Sequence, residues 1–272
     1  MLYSRIEFFA EAVRVRNWIP AAFDALWLMS LAAVAVAAGR PSFVRAAPLR
    51  DASVAICIDT SGSMASRDVW PTRAAAAKTA AGAFIHTAPA GIKLAVVAFA
   101  KNARIVSPLT GDRTAMLRAL EEIPAPGGAT AIGDALAAAA TQLRSRGHRA
   151  LVVITDGVNN AGSDPNTVVK TLAGAHVAIF TVGVGTKHGD VMAGTHETAT
   201  IDEAALRAYA RSTGGYYVRA QTDRELLAVL TRLARTTMME RRAVDCALIF
   251  AIGGACVMAL AFLLGSATGT YP

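Results

Sequence analysis

From residue 53 to residue 219 the chain alternates short, almost wholly apolar runs with helical stretches, and this rhythm restricts the fold more than any other feature. Ser53–Asp59 (SVAICID), Lys93–Phe99 (KLAVVAF) and residues 150–155 (ALVVIT) and 177–184 are strand-length and lack a polar face. Strands buried on both sides between helical layers read this way. Helical stretches occupy 73–88, a segment from an Asp112 N-cap to 123, then 131–146, Pro165–Gly174 and 202–213, the last ended by Gly214-Gly215. A last short strand is expected at 216–219. Residues 93–99 and 104–107 lie too close in sequence for a helical crossover, so that pair should be an antiparallel hairpin at an edge. The expected class is α/β, a doubly wound and mostly parallel sheet.

Two further apolar runs bracket this block. Residues 19–39 and 244–265 each have about the 20 residues that span a bilayer as a helix. They explain why 54% of the residues are hydrophobic and the mean hydropathy reaches +0.40. The first carries Asp24 near its start, where a carboxylate costs less than the roughly 2.5–3.5 kcal/mol it would cost at mid-membrane. The leader before it is long, and Glu7 and Glu11 offset Arg5, Arg14 and Arg16, which reads as an anchor rather than a cleaved signal. In the second run Ala247, Ala251, Ala255 and Ala259 recur every four residues, which reads equally as a small-residue stripe that admits another helix or as an Ala-rich helix face with no partner. From Asp223 a helical pattern continues to 264, so the domain's final helix is expected to run straight into the membrane. The layout is thus a leader (1–18), a transmembrane helix (19–39), a domain (51–235), a second transmembrane helix (244–265) and a short tail (266–272).

The net charge of +7 raises the question of nucleic acid. Residues 51–239 hold 19 basic against 15 acidic side chains, and the rest of the excess sits beside the apolar runs. That placement favours a membrane protein over a nucleic-acid binder. A membrane protein that crosses the bilayer more than once is expected. Arg40, Arg45, Arg50, Arg232, Arg235, Arg241 and Arg242 flank the domain side and favour a cytoplasmic domain, but a domain this long translocates regardless of its flanks, so its side stays open.

Doubly wound sheets bind ligands at the carboxyl ends of their strands. Asp59-Thr-Ser61-Gly-Ser63 follows the first strand, Thr155-Asp156-Gly157 follows the fourth, and Gly127-Gly128-Ala129-Thr130 precedes an Ala-rich helix. Asp59, Ser61, Ser63, Thr130 and Asp156 offer hard oxygen donors without a thiolate or imidazole, which selects Mg2+, with Mn2+ or Ca2+ as alternatives, over zinc or copper. Rival motifs fail. Cys57 stands where a D-x-D phosphatase needs an acid, neither serine lies in G-x-S-x-G, and the glycine loop lacks the lysine of a phosphate-binding loop.

The constellation resembles the metal-ion-dependent adhesion site of the von Willebrand factor A (VWA) family, D-x-S-x-S with a later Thr and a later Asp, and all five positions match. The resemblance implies binding rather than catalysis: a divalent ion with an open position that accepts a partner protein's Asp or Glu. More narrowly, DVWPTR, TDGVNNAG, TVGVGT and IDEAALRAYARSTGGYY, set between two apolar helices, resemble the membrane-anchored bacterial Bat (aerotolerance) group. For that group the implied partners are other VWA proteins and a MoxR-type AAA+ ATPase, with roles in assembly, maturation or envelope stress tolerance. The alternative is a metal-dependent hydrolase or phosphatase at the same site. It would need a general base, and the acids present are committed to the motif, so no catalytic residue is assigned.

Other features take plainer readings. Cys57 lies in a core strand and Cys246 and Cys256 in a membrane helix, all as packed thiols. His188, Asp190, His196 and Glu197 share what reads as a solvated loop. Asn159 and Asn160 are expected to shape the metal loop by hydrogen bonds rather than to ligate. Asp68, Trp70 and Pro71 follow the first motif, and Trp70 is either an exposed rim residue or a packed one.

Overall fold

A computed structural model of the chain describes residues 3–48, 51–143, 147–186, 201–236 and 239–268. It divides into two compact units, one of residues 48–240 and one that joins residues 1–47 to 241–272. In chain order the elements begin with α1 (Tyr3–Ala38), β1 (Ser42–Pro48), β2 (Ser53–Asp59), α2 (Arg73–Thr87), β3 (Lys93–Phe99) and β4 (Ala103–Thr110). They continue with α3 (Arg113–Glu121), α4 (Ile132–Gln142), β5 (Arg149–Thr155), α5 (Pro165–Gly174) and β6 (Ala178–Val184). The last are α6 (Glu203–Ser212), β7 (Tyr217–Ala220), α7 (Asp223–Thr236), β8 (Met239–Asp245) and α8 (Ala247–Thr268).

Within the larger unit the sheet order is β4-β3-β2-β5-β6-β7, parallel throughout except for β4, which pairs antiparallel with β3 at the edge. The edge hairpin is longer than its apolar core at 104–107 suggests. Its register shifts between Leu94 and Val97, and Pro108, which has no N–H to give, is accommodated on this outermost strand. Alternate residues of each strand serve opposite faces. Ile56, Ile58, Val152 and Val182 pack under α2, α3 and α7 through Phe84, Met116 and Leu230. Cys57, Val97, Val153 and Ile179 pack under α4, α5 and α6 through Leu136, Val169 and Leu206. Both faces are therefore dry, which is why the strands carry no polar alternation.

Helix starts follow local chemistry. The side chains of Thr72, Asp112, Asp164 and Asp202 each accept a backbone N–H in the first turn of α2, α3, α5 and α6. Chain succession moves outward from β2 to β3 and β4 on one side and from β5 to β6 and β7 on the other. The switch point lies between β2 and β5.

The smaller unit is built from α1 and α8, which pack along each other, and from β1 and β8, which pair. Among the described residues, two stretches are long and apolar enough to cross a membrane, Ala21–Ala38 and Ala247–Ser266. The helix seam does not use the stripe of small residues noted in the sequence: Ala251, Ala255 and Ala259 are exposed. Gly254, Ala261 and Gly265 are buried instead, and the Ser30 hydroxyl donates to the Gly254 carbonyl at 3.0 Å. A Cβ on Gly254 would lie 3.2 Å from that of Ala33, so glycine sets how closely the helices approach.

One expectation fails. The helix from Asp223 does not run on to 264; α7 ends at Thr236, and β8 intervenes before α8. The Asp245 carboxylate accepts the Ala247 N–H at 2.8 Å and starts α8 afresh, while Met239–Asp245 satisfies its backbone against Ser42–Pro48. Cys246 accordingly precedes the helix, Cys256 lies within it, and all three cysteines are free thiols.

Candidate metal centre

The carboxyl ends of β2 and β5, on either side of the switch point, carry the site. Asp59 is the last residue of β2 and is fully buried. One of its oxygens accepts the Ser61 N–H at 2.8 Å and the other accepts the Thr155 hydroxyl from the neighbouring strand. The chain then tightens into a single 3-10 turn, Gly62–Ala65, pinned by buried Met64. This turn brings the Ser61 and Ser63 hydroxyls within 3.2 Å of each other. Asp156 leaves β5 one residue beyond Thr155, is buried, and receives a hydrogen bond from the Ser63 hydroxyl. Gly157 follows with φ +87°, and a Cβ there would meet the Leu206 side chain at 2.7 Å, so the turn beneath Asp156 requires glycine.

The third stretch is brought in through its backbone. The Gly62 N–H donates to the Gly128 carbonyl at 2.9 Å and the Gly127 N–H to the Thr60 carbonyl at 2.8 Å. Thr130 is buried; its N–H donates to Asn160 Oδ1 at 2.7 Å, and its carbonyl accepts the N–H groups of Asn160 and Ala161. Asn159 Oδ1 accepts the Ile132 N–H at 2.8 Å and so caps α4. Both asparagines therefore tie the threonine loop to the Asp156 loop, and the structure draws together the three stretches that hold Asp59, Ser61, Ser63, Thr130 and Asp156.

The electrostatics disfavour two charged carboxylates here. Burial, and next the negative charge of Asp156, push the Asp59 carboxyl up to about 7, against hydrogen bonds from Ser61 and Thr155 that favour the charged form. Burial raises the Asp156 carboxyl as well, despite the Ser63 hydroxyl and the Arg73 guanidinium. Among the described residues no three His, Cys, Asp or Glu side chains cluster closely enough to hold an ion. An ion here would therefore depend on the hydroxyls. Two buried carboxylates with small hydroxyl donors suit a hard, partly hydrated dication, whose charge would relieve their mutual repulsion.

Sequence reasoning missed Arg73. Its side chain is fully buried at the start of α2. Nε and Nη2 donate to the two oxygens of Asp68, each at 2.7 Å, and Nη1 lies 3.4 Å from Asp156 Oδ2. Asp68 also accepts the N–H and hydroxyl of Thr186. Burial alone would raise the Asp68 carboxyl, but the bonds from Arg73 and Thr186 outweigh it and hold the group below the usual carboxylate range. Asp68 is thus turned inward, whereas Trp70 is 76% exposed, which decides between the two readings of that tryptophan. The signal for Arg73 was the run D-V-W-P-T-R: an acid five residues ahead of an arginine that opens an Ala-rich helix. Cys57 is buried, its thiol pushed up to about 12 by desolvation, in keeping with a packed core residue. His188, Asp190, His196 and Glu197 lie outside the described residues.

A cavity of about 340 Å³ opens at the opposite ends of β2, β5 and β6, walled by Val54, Phe84, Val152 and Phe180. It is remote from every donor named above.

Residues 54–159 match the family model of the von Willebrand factor type A domain. A UPF0353 protein of Mycolicibacterium paratuberculosis is 35% identical over 247 residues, covering 84% of this chain and 72% of that protein. Among solved structures, a conserved hypothetical protein BatB from Bacteroides thetaiotaomicron superposes with a TM-score of 0.61 at 25% identity, over 69% of this chain and 98% of that one. An aerotolerance-related membrane protein from Bacteroides fragilis gives 0.60 at 26% identity, over 67% and 98%.

Proposed function

This chain belongs to the UPF0353 family of von Willebrand factor type A domain proteins, and from that premise we propose that it is a membrane-anchored module that grips a partner protein through a divalent ion. The ligands in this reading are Asp59, Ser61, Ser63, Thr130 and Asp156, and the ion is Mg2+. When bound, the ion supplies a Lewis-acidic position that a visiting Asp or Glu carboxylate can complete. The observation that carries the reading is the convergence of two buried, mutually repelling carboxylates and the first-motif hydroxyls at the switch point between β2 and β5.

The protein's own groups prepare that site. The Ser61 N–H and the Thr155 hydroxyl fix the Asp59 carboxylate, and Asn160 holds the Thr130 backbone. We read the module as binding rather than catalytic. Around the site, Asp59 and Asp156 are committed to the ion, Asp68 to Arg73 and Thr186, and Asp202 to the Ala205 N–H in the first turn of α6, so we assign none of these four carboxylates as a general base.

From the likeness to the Bat group we further propose that the partners include other VWA proteins and a MoxR-type AAA+ ATPase, at a bacterial inner membrane that α1 and α8 both cross. The test is co-purification of the full chain from membranes with Mg2+ or with a chelator, read by mass spectrometry. Partners should be retained with Mg2+ and lost with chelator or with Asp59→Ala. Phosphatase substrates are assayed in parallel, and Mg2+-dependent turnover lost in Asp156→Ala would overturn the binding assignment.

A further inference from the structure

The larger unit leaves five large apolar side chains exposed among its described residues: Trp70, Ile105, Val158, Tyr216 and Leu227. Two of them, Trp70 and Val158, stand two residues beyond Asp68 and Asp156, the acids that share Arg73. Two residues of chain span at most about 7 Å, so Val158 leaves the backbone beside Asp156, its own N–H 3.5 Å from Asp156 Oδ1, while Trp70 leaves it beside Asp68, which Arg73 joins to Asp156.

The Trp70 ledge is also held firmly. Asp68 is clamped by Arg73 and Thr186, Val69 is buried at 1% exposure, and Thr72 caps α2 by accepting the Ala75 N–H. An indole that is 76% exposed on a backbone fixed at both sides is a preorganised contact, with little ordering left to lose on binding. Val158 is placed similarly, next to Gly157 and ahead of the tethered Asn159 and Asn160.

We infer that Trp70 and Val158 form an apolar collar at the metal centre, and that the partner it fits is a protein segment whose Asp or Glu is flanked by large aliphatic or aromatic side chains. This rests on the metal-dependent reading above and narrows it: a carboxylate in a wholly polar setting would engage the ion but leave the collar exposed.

The test is selection from a randomised peptide display library on the full chain in detergent micelles, with Mg2+ and with chelator. Selected peptides should carry an acid with a large apolar residue within two positions. Trp70→Ser, whose melting temperature should match the parent because the side chain is exposed, should weaken the best peptide by about tenfold. It should equally lose the apolar preference on reselection while the acid is kept. Acidic peptides without apolar neighbours, or a Trp70→Ser effect below about twofold, overturn the collar and leave the metal reading standing. The absence of any Mg2+-dependent acid preference overturns both. Self-association of the chain that Trp70→Ser abolishes, with peptide preference unchanged, assigns the collar to a second copy and overturns the proposal.

Discussion

Replacing Arg73 with methionine tests how the acidic loops are held. The guanidinium is completely buried and makes two 2.7 Å charge-assisted bonds to Asp68, whose side chain is only 6% exposed. Methionine fills much of the volume but strands the Asp68 carboxylate with only the Thr186 donors. Removing one partner of a buried ion pair costs about 3–5 kcal/mol. In a domain of this size each kcal/mol lowers the melting temperature by about 2–4 °C, so a fall of roughly 6–20 °C is expected. The assay is thermal unfolding by circular dichroism on the full chain in micelles at pH 7 with chelator, so that ion binding does not contribute. Arg73→Met with Asp68→Asn removes both charges and should recover at least half of the loss, since Asn can still accept from Thr186. The guanidinium seat confirms how specific the pair is: a Cβ on Gly185 would lie 2.7 Å from Arg73 Nη2. A loss under about 2 °C for Arg73→Met, or a double variant as unstable as the two single effects added, would refute the reasoning.

Asp59 gives a prediction with a sign that can be checked. Its folded carboxyl lies at about 7, above the ordinary value of 3.8, so between these limits the folded chain holds a proton that the unfolded chain has released. The metal-free protein should therefore be more stable near pH 5 than near pH 8, the advantage disappearing as pH rises through about 7. Because the ion needs the ionised form, the Mg2+-induced rise in melting temperature should shrink as pH falls through the same window. Asp59→Asn should abolish both effects, and a melting shift with Mg2+ that survives it would remove Asp59 from the ligand set. Gly157→Ala places a methyl 2.7 Å from the Leu206 side chain at φ +87°. It should cost about 1–3 kcal/mol by thermal unfolding and weaken Mg2+ binding measured by calorimetry, and an unchanged Mg2+ affinity would mean that the turn does not aim Asp156.

What could be read in the sequence follows from the range of the forces that specify each part. The mostly parallel sheet with its antiparallel edge hairpin was legible because connection length alone separates a hairpin from a crossover, and the strands buried on both faces announce themselves as unbroken apolar runs. The placement of Asp59 and Asp156 at the carboxyl ends of β2 and β5 was legible because each closes an apolar run just ahead of a glycine-bearing turn. The break between α7 and α8 was not. It depends on Met239–Asp245 finding Ser42–Pro48 at the other end of the chain, and helical periodicity carries no trace of a strand partner that distant. For the same reason the small-residue stripe of α8 could not by itself say whether it packs, since the choice of face belongs to Ser30 and Ala33 on another helix.

Arg73 lies between these cases and shows what they have in common. At the first position of a helix an arginine ordinarily reaches into water, and nothing in its neighbours contradicts that until Asp68, Asp156 and Thr186 are brought around it from three separate stretches. Its burial is comprehensible only as the countercharge of two acids that were each visible without it. One of those acids also belongs to the candidate ion's ligand set, so Arg73 and an ion would both act on the same carboxylate. The guanidinium spends its two short bonds on Asp68 and only a 3.4 Å contact on Asp156. That unequal division steadies the loop while leaving Asp156 under-compensated, and an under-compensated buried carboxylate is the condition that makes a dication welcome at this end of the sheet.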